Sequence, residues 1–429
     1  MWKTLRNAFE IPELRRRIFF TLAMLAVFRL GIYVPIPGIN LHRWTDFFSS
    51  MAGQGAFGGF IGFFDVFAGG ALRNFSIFTM SVTPYINAAI IIQMLTAVLP
   101  KLKELAREGE EGRKKIEKYT RNLTLLLALV QGFFLTFSIA RSGQGLISVN
   151  PAIFVALATS TIIAGTMFLL WLGERITDNG IGNGISVLIF AGIVARYPSY
   201  FMKAIVGGIG FTGWAFIIVI AVIAVAGIIY IQEGERRIKV QYAKRIVGRK
   251  VYGGQSSYIP MRVNQGGVIP IIFASALMMI PTALGKMTGN MFIQTYLAMG
   301  SLWYDVIYVL LVFFFTYFYS AITFDVHDVA DNMKKYGGFM MGIRPGVPTE
   351  RYLQKVLTRV TFVGAIFLSA IAILPYVVTG VVHVQIWLGG TSLLIAVGVA
   401  LDVVQQIEAH LIMRYYDGFM KKGRLRVRR

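Results

Sequence analysis

The sequence has no cysteine in its 429 residues, which excludes disulfides and thiolate chemistry. Its histidines are few and stand singly, so a histidine-bound metal is not expected. They are His42, His327, His383 and His410. Charged residues make up 15% of the chain, against about 25% in a typical soluble domain. The low share of charged residues predicts a protein with little soluble mass.

The chain also lacks the motifs of an energy-using enzyme. It contains neither a GxxxxGK[ST] phosphate-binding loop nor an HExxH zinc motif. No polar stretch is long enough for a nucleotide-hydrolysing domain, since domains usually need about 50 residues or more. We therefore expect no enzyme activity and no cofactor, and any driving force must come from another protein.

Apolar residues are abundant instead, at 56% of the chain with a mean hydropathy of +0.64. A bilayer-spanning helix takes about 20 largely apolar residues. The sequence predicts ten such spans and hence an all-α polytopic membrane protein. The spans lie at about 18–34, 75–99, 122–140, 152–173, 181–195, 213–231, 266–284, 302–323, 360–378 and 385–405.

The 42 lysines and arginines are unevenly divided between the two sets of loops. The tails and every second loop hold 35 of them, the alternate loops hold six, and Arg29 lies inside the first span. By the positive-inside rule, both termini are expected in the cytoplasm, which requires an even number of spans.

The stretch from Phe60 to Leu99 has two parts of different character. The second part is long enough to cross, whereas residues 60–73 are too short and carry Asp65, glycines and Arg73. Non-helical backbone at membrane depth must be buried in protein or face a water-filled cavity. Residues 60–73 are therefore either a re-entrant segment or an amphipathic helix on the membrane surface.

Ionisable residues are nearly absent from the middle of the spans, where transporters of small charged solutes usually place them. Isoleucines occupy these levels instead, and a ring of them would close a pore by dewetting. Isoleucine is also simply common in membrane spans. The residues are Ile86, Ile90, Ile185, Ile189, Ile272 and Ile395.

Two large loops, about 232–265 and 324–359, fall on the basic side. The first alternates apolar and polar residues at Ile238, Val240 and Tyr242, which predicts a short hairpin. Its cations, with tyrosines between them, suit phosphate contacts and stacking. These cations therefore have two explanations: they form a docking surface for acidic or nucleic-acid partners, or they only follow the positive-inside rule. The cations are Arg236, Arg237, Lys239, Lys244, Arg245, Arg249 and Lys250.

Several motifs, in this order along nearly the whole chain, resemble the SecY family, the channel subunits of bacterial protein translocases. They are FAGGALRNFSIF (67–78), PYINAAIIIQ (84–93), NGIGNGIS (179–186), ERRIKVQYAKR (235–245), GGVIPIIFAS (266–275), GIRPG (342–346) and GGTSLLI (389–395).

The resemblance implies two pseudo-symmetric five-helix halves, 1–200 and 201–429, around an hourglass pore. The six isoleucines match positions of its pore ring, and spans two and seven match the lateral gate. The resemblance further implies a short re-entrant plug helix within about 60–73. Its residues are Phe64, Asp65, Val66, Phe67, Ala68, Gly69, Gly70, Ala71, Leu72 and Arg73.

The resemblance also implies partners. The cations from Arg236 to Lys250 match the site that meets the ribosome, including its RNA, or the SecA motor, and Arg344 matches a residue needed for SecA-driven export. SecE and SecG would complete the complex in the bacterial inner membrane. Signal sequences, unfolded precursors and membrane lipids would be its other contacts.

Two other functions remain open at this stage. A secondary transporter would bind a small solute at a central site formed by discontinuous helices. An anchoring scaffold would only hold a cytoplasmic complex at the membrane, and it predicts no leak when the plug is deleted.

Overall fold

The computed structural model describes residues 9–52, 65, 68–141, 145–208, 210–242, 245–247, 250–252, 256–288, 296, 301–382 and 390–423. The helices in these ranges are α1 Pro12–Gly31, α2 Leu41–Ala52, α3 Thr83–Val98, α4 Pro100–Arg107, α5 Glu110–Arg141, α6 Pro151–Asn179, α7 Gly184–Val194, α8 Tyr197–Val206, α9 Phe211–Glu233, α10 Ile269–Thr288, α11 Leu302–Thr323, α12 Val326–Lys335, α13 Val347–Val382 and α14 Gly390–Gly423. The strands are β1 Glu235–Tyr242, β2 Arg245–Val247, β3 Lys250–Tyr252, β4 Ser256–Arg262 and β5 Gly338–Phe339.

Long apolar helices dominate the described part of the chain. Seven are long and apolar enough to cross a bilayer. An eighth span is possible if α3 and α4, which meet at a bend of 100°, count as one. Each of the ten predicted spans overlaps a helix, which confirms the all-α polytopic class. The count of ten spans itself stays a prediction.

The turn predicted at NGIGNG separates α6 from α7. Asn179 ends α6, Gly182 has a φ of +85°, and the side chain of Asn183 accepts a hydrogen bond from the backbone N–H of Ser186. An asparagine in this position satisfies one of the free N–H groups at a helix start. The local prediction is therefore confirmed.

The second span begins later than predicted. Residues 68–82 form consecutive turns, and the helix starts at Thr83, with Pro84 in its first turn, where proline favours helix entry. Phe75 and Ser81 have positive φ angles of 40° and 49°, which an α-helix cannot contain. The boundary at Phe75 was therefore wrong, because an apolar run does not reveal backbone conformation. We call residues 68–82, together with Asp65, which accepts hydrogen bonds from the N–H groups of Gly70 and Arg73, the turn segment.

The chain forms two compact units, Met1–Phe201 with Val399–Arg429, and Met202–Gly398. In the first unit, the turn segment lies in a core with α2, α5 and α6. The buried side chains of this core are Ile36, Trp44, Phe48, Phe75, Ile139, Leu146, Phe154, Ala158 and Ile162. The predicted division into related halves, 1–200 and 201–429, stays a prediction.

In the second unit, helices α9, α10, α11, α13 and α14 share one apolar core. Its fully buried members include Ile228, Ile271, Val312, Leu368 and Leu394. Because lipid is as apolar as these side chains, close van der Waals packing, and not a hydrophobic driving force, favours the association of the helices.

A three-stranded antiparallel sheet of order β4-β1-β5 belongs to the same unit. Ile238 and Val240 face an apolar cluster with Met333 and Leu353, so β5 and α13 pack on the strands of the preceding loop. The predicted hairpin is confirmed, and it joins both large loops in one folded body. We call β1, β4, β5, α12 and the start of α13 the sheet platform.

The tight approach of α6 to the turn segment gives a testable prediction. A Cβ atom on Gly165 would lie 2.0 Å from the carbonyl oxygen of Ile77, so Gly165→Ala should displace the turn segment. We expect a loss of about 1–3 kcal/mol in stability from this overpacking. Thermal unfolding of the purified protein in detergent measures it.

Gly132→Ala on α5 is the matched control. A Cβ atom there would meet Ile162 Cγ2 at 3.5 Å and Thr159 Cγ2 at 3.8 Å, which are ordinary contacts. Since alanine favours helix by up to about 1 kcal/mol over glycine, this variant should be neutral or more stable. Equal melting temperatures for the two variants would contradict the predicted steric conflict.

Candidate functional site

The turn segment lies at the level of the middle of a membrane-spanning helix. Gly165, opposite the carbonyl of Ile77, lies halfway along the 29-residue helix α6. Water is scarce at that depth, so each backbone N–H and C=O group needs a partner within the protein. The segment is therefore a folded insertion among helices, in agreement with the re-entrant interpretation.

Backbone and side-chain donors supply those partners. The N–H of Ile36 donates to the carbonyl of Phe75 at 2.9 Å, and the N–H of Ile77 donates to the carbonyl of Val34 at 3.0 Å. The residues after α1 thus run antiparallel to the turn segment, with an isolated bridge between Pro35 and Ser76.

Two side chains from α1 and α2 bind the start of the segment. Arg29 Nη1 donates to the carbonyl of Gly69 at 3.0 Å, and Trp44 Nε1 donates to the carbonyl of Leu72 at 3.1 Å. Arg29 is the cation that the sequence places inside the first span. The Arg29 guanidinium binds a carbonyl of the turn segment, so this cation has a structural partner within the protein.

Glycines permit this close packing. Gly69 and Gly70 have φ angles of +63° and +95°, which favour glycine. A Cβ atom on Gly69 would also lie 2.9 Å from the Cα of Gly192 in α7. The double glycine therefore allows the chain to turn directly against α7.

Charged groups also meet here. The side chain of Asp65 is buried and pairs with the guanidinium of Arg196, just after α7. Asp65 Oδ1 also accepts a hydrogen bond from the backbone N–H of Arg73 at 2.9 Å. Sequence reasoning missed Arg196, although one signal was present, since it is one of only six cations in the poorly charged set of loops.

Of the predicted plug, Phe64, Val66 and Phe67 lie outside the described residues. Ala68, Gly69, Gly70, Ala71, Leu72 and Arg73 follow turns, so the predicted helix does not extend over them. Left-handed φ angles at the two glycines break the helical geometry. Their role as a plug stays a prediction.

The six isoleucines divide between the units. Ile86 and Ile90 on α3 and Ile185 and Ile189 on α7 belong to the first unit, and Ile272 and Ile395 belong to the second. Ile90, Ile189 and Ile395 are buried, whereas the other three are partly exposed. Ile185 packs near Gly173 of α6, where a Cβ atom would lie 2.8 Å from its Cγ1. The ring of all six stays a prediction.

The sheet platform presents part of the predicted docking surface. Arg236, Arg237 and Lys239 are exposed on β1, beside the buried Ile238 and Val240. Arg237 Nε also pairs with Glu235 at 2.6 Å and keeps 69% of its side chain exposed. Arg237 and Lys239 alternate with the buried Ile238 and Val240 and so lie on the exposed face of the strand, while Arg236 is exposed at its start. Together they form a basic surface on a folded strand.

The remaining docking residues are only partly described. Arg245 and Lys250 lie in the β2–β3 hairpin, in register with Tyr252 and Val247 respectively, and Lys244 and Arg249 lie outside the described residues. Arg344 is exposed after β5, on the wall of a cavity of about 420 Å³. Because β5 pairs with β1, Arg344 and the β1 cations belong to one platform, which the sequence did not reveal.

Fold and site together define a polytopic α-helical membrane protein with a folded segment inserted among its helices and a basic platform at one end of the second unit. Comparison of the chain with known proteins identifies its family within this class. The chain matches the SecY family model over residues 76–404. It is 58% identical to the protein translocase subunit SecY of Thermotoga maritima, with all of both chains covered. It is 43% identical to the corresponding subunit of Thermus thermophilus, again over the full length of both.

Solved structures share the fold at lower sequence identity. A protein-conducting channel matches with a TM-score of 0.59 and 16% identity, covering 94% of this chain and 96% of the other. Sec61 in a canine ribosome–channel complex matches with a TM-score of 0.54 and 15% identity, with the same coverage. The chain belongs to the SecY family.

The sheet platform can be tested by a pair of neighbouring substitutions. Val240 is 1% exposed, so Val240→Asp would bury an unpaired carboxylate and should unfold the platform. We expect rapid proteinase K cleavage between β1 and β5 in inverted membrane vesicles. Lys239→Asp, one position along and exposed, should keep the protected pattern, and equal cleavage of both variants would contradict the packing.

Proposed function

We propose that this chain is the protein-conducting channel subunit of a Sec translocase, a passive gated pore for unfolded polypeptides. Its 58% identity over the full length to a SecY subunit carries this proposal. The turn segment at mid-helix depth supports it, because folded, non-helical chain at that level needs a protein-lined interior.

In this proposal the pore ring is the seal. Ile86, Ile90, Ile185, Ile189, Ile272 and Ile395 would form a ring of apolar side chains that closes around a moving chain without reading its sequence. Apolar constrictions exclude water and ions by dewetting. The residues from Phe64 to Arg73 would block the ring when no substrate is present.

The two related halves would open toward lipid along α3 and α10, the helices at the second and seventh predicted spans. A hydrophobic signal segment would leave by this gate because lipid is its better solvent. The proposal assigns no catalysis to the chain, so the force comes from SecA or from elongation on the ribosome.

Partners and location complete the proposal. The exposed cations of β1 and Arg344 would receive SecA or ribosomal RNA, and SecE and SecG would complete the complex. The imbalance of 35 cations to six supports cytoplasmic termini in a bacterial inner membrane. Solved relatives of this fold include Sec61 and Ssh1 in complexes with ribosomes.

A photo-crosslinker at Ile90 tests the pore directly. With a precursor stalled during export, we expect crosslinks from position 90, because its side chain would line the narrowest level. The neighbouring Ile91 is 39% exposed and points elsewhere on α3, so position 91 should crosslink far less. Solute uptake by vesicles that contain only this protein, without precursor crosslinks, would instead favour a transporter.

Polar substitution in the ring should ease opening. We expect Ile90→Asn or Ile272→Asn to improve export of precursors with weak signal sequences, because an amide lowers the cost of wetting the constriction. Export assays in cells measure this gain. Ile91→Asn is the matched control, and unchanged export in the ring variants, with normal membrane insertion, would contradict the ring.

Charge reversal tests the docking surface. Arg236→Glu together with Arg237→Glu should weaken co-sedimentation with bacterial ribosomes about tenfold or more at low salt, and the difference should shrink as salt rises. Arg113→Glu with Lys118→Glu, an exposed pair on α5 of the first unit, makes the same change in charge at another site. Equal losses for both double variants would show a general charge effect and contradict docking at β1.

A further inference from the structure

One ion pair joins the turn segment to α7 with both partners withdrawn from water. The side chain of Asp65 is 1% exposed and that of Arg196 is 16% exposed. By contrast, the surface pair of Arg121 and Glu174 leaves 51% and 39% of its side chains exposed. A surface pair contributes little, whereas removal of one partner from a buried pair leaves an uncompensated charge.

Further contacts fix both members of the pair. Asp65 Oδ1 accepts from the N–H of Arg73, and the carbonyl of Asp65 accepts from the N–H of Gly70 at 2.9 Å. A Cβ atom on Gly70 would lie 3.3 Å from Arg196 Nη1, so the guanidinium lies directly on the double-glycine turn. The ring of Tyr200 lies below it, 5.9 Å from Cζ to centroid.

These contacts differ in kind from the others that hold the turn segment. Arg29 and Trp44 bind backbone carbonyls, which any sequence in this segment would offer. Arg196 binds a side chain of the segment itself. The strength of this attachment therefore depends on the residue at position 65 and on its charge.

We propose that Arg196 is a positioning residue that holds the turn segment against the end of α7 through its ion pair with Asp65. We call this ion pair the latch and the packed position of the segment its seat. The latch determines how readily the segment leaves its seat. This inference rests on the proposed function, in which departure of the segment opens the pore. Loss of either charge would shift the segment toward a released position, even with the isoleucine ring intact.

The absence of cysteine allows a clean reporter. Ser76 is fully buried in the turn segment, and Ser76→Cys is nearly isosteric. Its thiol would be the single cysteine of the chain and should react with a membrane-impermeant maleimide only after the segment leaves its seat. The full-length S76C chain is labelled in bacterial cells, within the complex that it forms there.

We expect Arg196→Gln and Asp65→Asn, each added to S76C, to raise the labelling rate about tenfold or more, since each leaves one charge without its partner. Asp65→Asn keeps the shape of the side chain and an acceptor for the N–H of Arg73, so it preserves the fold best. Arg196→Lys retains the positive charge and should stay within about threefold of the parent, because a single ammonium can still pair.

Arg43→Gln is the matched control for charge. Arg43 lies on α2 and donates to the carbonyl of Gly145 at 3.3 Å, away from the turn segment, so its loss should leave labelling unchanged. Unchanged labelling in R196Q and D65N, equal increases in R43Q, or a rate in R196K as high as in R196Q would each overturn the latch.

A second measurement separates this proposal from the function on which it rests. Ion conductance across the same membranes should rise in R196Q and D65N if the released segment unplugs a pore. Faster labelling with unchanged conductance would support the latch and contradict the plug. Unchanged labelling together with precursor crosslinks at Ile90 would overturn the latch and leave the channel supported.

Discussion

The first unit depends on one constraint, that backbone polar groups at membrane depth must be satisfied by protein. Helices satisfy their own groups, whereas the turn segment does so only in part, through turn hydrogen bonds such as that from the N–H of Ser76 to the carbonyl of Ala71. Other groups of the segment are paired with the chain after α1 and with Arg29 and Trp44. The surrounding helices are thus arranged around a segment that cannot stand alone.

Charge in this unit follows the same constraint. Arg29 and Arg196 are costly inside or near a membrane, and both have partners in or beside the turn segment. In a transporter such charges would more often line a solute path. Here they bind protein groups within the first unit.

The second unit holds several cations on one folded surface. Two loops about 100 residues apart share one sheet through the pairing of Tyr242 with Gly338. The sheet is stabilised by the buried side chains of Ile238, Val240, Met261 and Leu353. This apolar packing keeps the sheet folded although the like charges on its exposed side repel one another. Because such a platform is already folded, its cations need not be ordered when a large phosphate-bearing partner binds.

The sequence by itself determined the membrane class, the approximate spans, the NGIGNG break and the β1 hairpin, because hydropathy, asparagine–glycine turns and period-two alternation are local signals. Family resemblance added Arg344, the plug residues and the roles of the isoleucines and loop cations. Only the tertiary structure decided that the second span starts at Thr83, that Arg196 meets Asp65 across 131 residues, and that Arg344 joins the β1 platform. Such outcomes depend on which distant groups can satisfy a buried carbonyl or charge, and a linear pattern does not encode those distances.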